Sequence, residues 1–109
     1  MTDQGEIGLK NPMRPDSPPV SLPSILADLE DRGVQAPMIL RVASYLENEI
    51  QHINECFADA ISRVGYKGVY RGVFPIKVNQ QAQVLDRIVE YGRSYSYGLE
   101  AGSKPELVI

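Results

Sequence analysis

The 109-residue chain has no tryptophan, one cysteine and one histidine, and only 7% of it is aromatic. A single cysteine cannot close an internal disulfide, which suits a reducing cytosol, and a cytoplasmic location is expected. Cys56 flanks the apolar stripe of a helix and reads as a buried, inert thiol. His52 falls on the polar face of that helix beside Asn48 and Glu55, without neighbours at metal-ligand spacing, and reads as a solvated side chain. No apolar run approaches the roughly 20 residues that span a bilayer, so no membrane association is expected. The front of the chain lacks the continuous apolar core of a secretory signal, and Asp3 and Glu6 argue against a transit peptide. Net charge is −3, and no basic patch is interleaved with aromatics, so nucleic acid is not an expected partner. Gly98 and Gly102 stand without the lysine of a P-loop or a dinucleotide fingerprint.

What is present sorts into segments. Residues 1–20 hold Pro12, Pro15, Pro18 and Pro19 with few apolar side chains, the composition of a proline-rich flexible leader. Ser21 to Arg32 reads as a short helix with Leu22, Ile25, Leu26 and Leu29 on one face and Gly33 as its stop. Pro37 to Val42 reads as an apolar strand. From Tyr45 to Val64, Leu46, Ile50, Ile53, Phe57, Ile61 and Val64 recur at spacings of three and four, predicting a long helix. Ser44 with Glu47 supplies a capping box at its start, and Gly65 closes it. Such a stripe also suits a coiled coil or a partner-binding helix, but an ordinary domain helix is the simpler expectation.

The C-terminal third reads as strand, helix, strand, helix. Val69 to Ile76 is rich in β-branched and aromatic residues, with Pro75, which cannot donate to a ladder, at the strand's end. Val84, Leu85, Ile88 and Val89 follow at helical spacing over Gln81 to Tyr91, with Gly92 as the stop. Tyr95 to Leu99 is a short second strand. Ser103 and Glu106 then form a capping box opening a helix over Pro105 to Ile109. This alternation implies parallel strands, and parallel sheets and barrels collect their chemistry at the carboxyl ends of strands. Lys77 and Glu100 both fall there. A strand-end lysine ordinarily reaches water. An amine beside an apolar run can instead serve as a nucleophile that forms an imine with a carbonyl cofactor.

Val73-Phe74-Pro75-Ile76-Lys77-Val78-Asn79-Gln80-Gln81, followed by Tyr97-Gly98-Leu99-Glu100-Ala101-Gly102-Ser103-Lys104-Pro105-Glu106-Leu107, resembles the start of the barrel in biosynthetic arginine decarboxylases. These are pyridoxal-phosphate enzymes of the alanine-racemase-like fold type. The resemblance extends upstream through Pro37 to Arg41 and Gly65 to Val73, covering roughly residues 20 to 109. It implies an α/β fold, the first part of a (β/α)8 TIM barrel, with residues 21–109 as the truncated start of the cofactor-binding domain. It implies that Lys77 forms the internal aldimine with pyridoxal 5′-phosphate, that Glu100 is the acidic residue beside the cofactor, and that Glu106 is a second acid near the lysine, a role compatible with capping. It further implies L-arginine as substrate, agmatine and CO2 as products, a place in polyamine (spermidine) biosynthesis, a homo-oligomer, and the magnesium that family members often require.

A complete barrel of this kind needs about 250 residues, and two strand–helix units are visible in the 109 present. The chain is therefore expected to be the amino-terminal piece of a longer polypeptide, inactive alone. Two alternatives stand beside this reading. One is a fold-related decarboxylase of diaminopimelate or ornithine, against which the Gly98-to-Ser103 block and the long helix argue. The other is a non-enzymatic truncated remnant.

Overall fold

A computed structural model describes residues 1–108, which fall into two units, Met1–Tyr45 and the chain from Leu46 onward. In the first, β1 (Gly8–Leu9) pairs antiparallel with β2 (Val20–Ser21), Gly8 opposite Ser21 and Leu9 opposite Val20. The proline-rich segment between them turns on short local bonds, Arg14 N–H to Asn11 O at 3.1 Å and Ser17 N–H to Arg14 O at 3.0 Å. Helix α1 (Leu22–Asp31) follows directly, with Ser21 as its N-cap. The Ser21 hydroxyl accepts from the Ser24 amide at 3.2 Å, satisfying one of the free amides of the first turn. Gly33, at φ +80, ends the helix as expected. Its amide donates to Glu30 O and the Val34 amide to Leu29 O, the paired bonds of a Schellman closure.

The strand expected over Pro37 to Val42 does not form. These residues have no regular structure, and Ile39 is 79% exposed. A strand is stable only against a partner, and none lies beside this segment among the described residues.

Helix α2 (Ala43–Val64) is the long helix of the sequence pattern. It begins at Ala43, so Ser44 lies inside the first turn rather than capping it. Its end follows the Gly65 expectation: Gly65 has φ +64, and the Tyr66 amide bonds Ile61 O at 3.1 Å. Of the apolar stripe only Ile50 is buried, while Phe57 stacks on Tyr70 with ring centroids 3.8 Å apart. Cys56, expected to be buried, is exposed; its sulfur contacts the exposed His52 ring one turn back. Position 56 lies on the flank of the stripe, and the neighbouring apolar residues Ile53 and Phe57 are themselves open to solvent.

The C-terminal strand–helix–strand is present in shorter form. β3 (Val73–Pro75), α3 (Ala82–Gly92) and β4 (Gly98–Glu100) make a parallel pair joined by one helix. Val69 to Gly72 carry no strand pairing, although the Gly98 amide already bonds Gly72 O at 3.0 Å. Gly72 is buried under the rings of Tyr97 and Tyr70, which occupy the space a side chain there would need. α3 ends at Gly92 as expected, but not through a left-handed glycine. Its backbone stays helical, the chain makes one further 3-10 turn over Arg93–Tyr95, and the closure falls on Ser96 at φ 54, with the Tyr97 amide bonding Gly92 O at 3.0 Å. Gly92 is small for another reason: a Cβ there would lie 2.9 Å from the Tyr97 carbonyl and Cβ. The second strand accordingly starts at Gly98, three residues later than the sequence suggests. The core of this unit is Ile50, Ile76, Leu85 and Ile88, the last 1% exposed. Among the described residues no helix is long and apolar enough to cross a membrane.

Candidate functional site at the carboxyl ends of the parallel strands

β3 ends at Pro75, whose ring denies the ladder a further donor. Ile76–Val78 then turn as a 3-10 segment closed by the Asn79 amide on Ile76 O at 3.1 Å. Ile76 is buried and pins the turn, while Lys77, the next residue, is exposed. Beyond it the Asn79 side-chain oxygen accepts from the Gln81 amide at 3.0 Å, and Gln81 O accepts the first bonds of α3, from Val84 and Leu85. The lysine thus sits in a short turn fixed at both ends. Its apolar neighbours do not desolvate it; its position rests on the turn, not on burial.

The register of the sheet places Pro75 opposite Glu100, so the residues leaving β3 and β4 emerge at one end. Glu100 is half-buried at the last position of β4. Two residues on, Gly102 approaches both acids: a Cβ there would lie 3.2 Å from Glu100 Oε1 and 3.8 Å from Glu106 Oε2. Glu106, in the 3-10 turn Pro105–Val108, folds back over this loop. The Gly102 amide donates to its Oε2 at 2.8 Å and the Ser103 hydroxyl donates to its Oε1 at 2.8 Å. These bonds, the amide's first, with the positive charge of Lys77 as a smaller contributor, hold the Glu106 carboxyl below its ordinary range.

Glu106 therefore reaches back toward the loop as its capping-box assignment requires, but the hydrogen bond from Ser103 runs to the carboxylate. The residues that sequence reasoning passed over are Gly102 and Asn79. A glycine and a serine just ahead of an acid were the signal for the first, and an Asn directly before a helix start was the signal for the second.

Lys77 makes no hydrogen bond or ion pair among the described residues. The arrangement brings a primary amine and two carboxylates to one end of a parallel pair. No group of three or more His, Cys, Asp or Glu residues able to hold a metal ion occurs among the described residues.

No protein-family model matches the chain. Individual proteins do. The biosynthetic arginine decarboxylase of Gloeobacter violaceus is 41% identical over all 109 residues, which are 17% of that protein's length. The enzyme of the same name from a Nostoc species is 51% identical over 81 residues, 74% of this chain and 12% of the relative. The crystal structure of the biosynthetic arginine decarboxylase of Campylobacter jejuni superposes with a TM-score of 0.77 at 38% identity, covering 82% of this chain and 15% of that one. The chain thus spans less than a fifth of the length of these relatives. It is a homologue of the biosynthetic arginine decarboxylases, and the match to the Gloeobacter protein, which runs the length of the chain, takes in Lys77, Glu100 and Glu106.

Proposed function

We propose that this chain is the lysine-bearing amino-terminal segment of a pyridoxal-phosphate-dependent arginine decarboxylase, the first part of a (β/α)8 barrel, producing agmatine and CO2 for polyamine synthesis. The observation that carries the proposal is the match over all 109 residues to a biosynthetic arginine decarboxylase, combined with a sheet register that sets Lys77 and Glu100 at one strand end. The residues fit the cofactor's aldehyde: Lys77 offers an exposed primary amine with no competing hydrogen bond among the described residues. When bound, pyridoxal phosphate supplies a carbonyl for amines and a conjugated pyridinium that accepts the electrons left by the departing carboxylate.

The chain's own residues do the rest of what can be assigned here. Lys77 Nζ would hold the cofactor through its aldehyde, and the same amine is placed to return a proton at this strand end. Glu100 and Glu106 supply negative charge at the same end, which would suit a cationic substrate. The turn from Ile76 to Asn79 orients the lysine. Magnesium receives no step, since the described residues do not form a site for it. In the whole enzyme we place the active site within a homo-oligomer.

Grafting this chain in place of the matching segment of the Gloeobacter violaceus relative tests the reading. The graft is expected to release agmatine from arginine, and Lys77→Ala to reduce release to background. Release that survives Lys77→Ala overturns the assignment.

A further inference from the structure

The second half of α2 carries more apolar surface than its own unit covers. One flank of the helix packs inward: Ile50 is buried, and Ile50 and Ile53 line one space with Phe74 of β3 and Ile88 of α3. The adjoining flank is open. There Ile53, Phe57, Ala60 and Val64 follow at spacings of four, three and four, the stripe that one helix offers to a neighbouring helix. With Ile61, and with Tyr66 and Val69 of the segment after α2, this stripe lines a groove of about 340 Å³. Val64 is 77%, Tyr66 63% and Val69 75% exposed. The groove has a defined wall, because Phe57 is held in its stack on Tyr70 and the Tyr66 amide is bonded to Ile61 O. Charge stays on the rim, where Arg63 bonds Asp59 one turn back. Contiguous apolar surface with a polar rim marks an interaction site.

The relatives indicate what covers it. The Campylobacter jejuni structure superposes on 82% of this chain, yet only 15% of its own length lies in the match. Parallel strands are covered by layers of helices, and β3 and β4 form a sheet of only two strands among the described residues. A helix from the rest of such a subunit, laid beside α2, would continue the layer. We propose, resting on the decarboxylase reading for the identity of the occupant, that the groove along Phe57, Ala60 and Val64 docks the apolar face of a helix from the remaining part of an arginine decarboxylase subunit.

Cysteine accessibility tests this. In a Cys56→Ser background, Ala60→Cys puts a thiol in the groove, and Ser62→Cys puts one on the opposite side of α2. Each is alkylated with iodoacetamide, in this chain alone and in the graft into the Gloeobacter violaceus relative, and mass spectrometry gives the rate. In this chain alone the two thiols are expected to react at similar rates. In the graft, position 60 is expected to react about tenfold or more slowly than position 62, since a covered side chain reacts only when the structure opens. Equal rates in the graft overturn the docking surface. Slow reaction at position 60 in this chain alone, deepening with protein concentration, assigns the groove to a second copy and overturns the proposed occupant. Where the graft does not fold, the same two cysteines at the aligned positions of the unmodified relative give the comparison. The label reads neither Lys77 nor cofactor, so a graft protected at position 60 that releases no agmatine counts against the decarboxylase reading and not against the groove.

Discussion

Pro75 lies opposite Glu100 in the parallel pairing of β3 and β4, and this one register sets the site. A slip of one residue would turn every side chain of β4 to the other face and carry Glu100 away from the loop that Glu106 occupies. The strands are only three residues each, so the flanking glycines carry much of the fit. At Gly102 a methyl group would meet the flexible ends of two acids, which can move aside. Gly102→Ala is therefore expected to change stability by less than about 0.5 kcal/mol. Urea denaturation of the two proteins side by side checks this.

Gly72 makes the opposite case. A methyl there overlaps the Tyr97 ring and the Tyr70 hydroxyl, at a buried position. Gly72→Ala is expected to cost about 1–3 kcal/mol, the range for overpacking a filled site. Thermal unfolding followed by circular dichroism checks this, and an unchanged midpoint would mean the rings move freely.

Ile88 is 1% exposed, the most buried side chain of the small core. Ile88→Ala is expected to destabilise by about 2–5 kcal/mol, whereas Val64→Ser, at a position 77% exposed, should stay within about 0.5 kcal/mol. Denaturant titration of both variants compares them directly.

The Glu106 carboxyl titrates below its ordinary value of 4.5, pulled down first by the Gly102 amide, then by Ser103 and by the charge of Lys77. A depressed carboxylate contributes stability above its unfolded value and loses it as pH falls through the folded one. The contribution is thus complete above about pH 4.5 and fades only in more acid solution. Carbon NMR of the Glu106 carboxyl should show a midpoint below 4.5, moving upward in Ser103→Ala.

Much of this architecture is legible in the chain because local rules and packing agree. Ser21, Gly33 and Gly65 mark helix ends with side-chain and left-handed backbone chemistry that needs no tertiary partner. Lys77 and Glu100 can be placed at strand ends because Pro75 and the helix starting after Gln81 bracket the first, and the spacing of the next strand brackets the second. Where neighbours decide, the pattern misleads. Pro37 to Val42 is apolar enough for a strand but has none beside it among the described residues. Gly92 ends its helix, but for a reason the pattern hides: it is small to let Tyr97 pass, and the left-handed residue is Ser96. Cys56 sits beside an apolar stripe that is itself largely uncovered.

The account stands on Lys77 as the amine that takes the cofactor. Incubating the chain with pyridoxal phosphate, reducing with borohydride and mapping the phosphopyridoxyl group by mass spectrometry tests this most directly. The account predicts that the adduct concentrates on Lys77 over Lys10, Lys67 and Lys104, and that Lys77→Ala removes the preference. An even spread over the four lysines would contradict it, leaving Lys77 a solvated residue at the end of a strand.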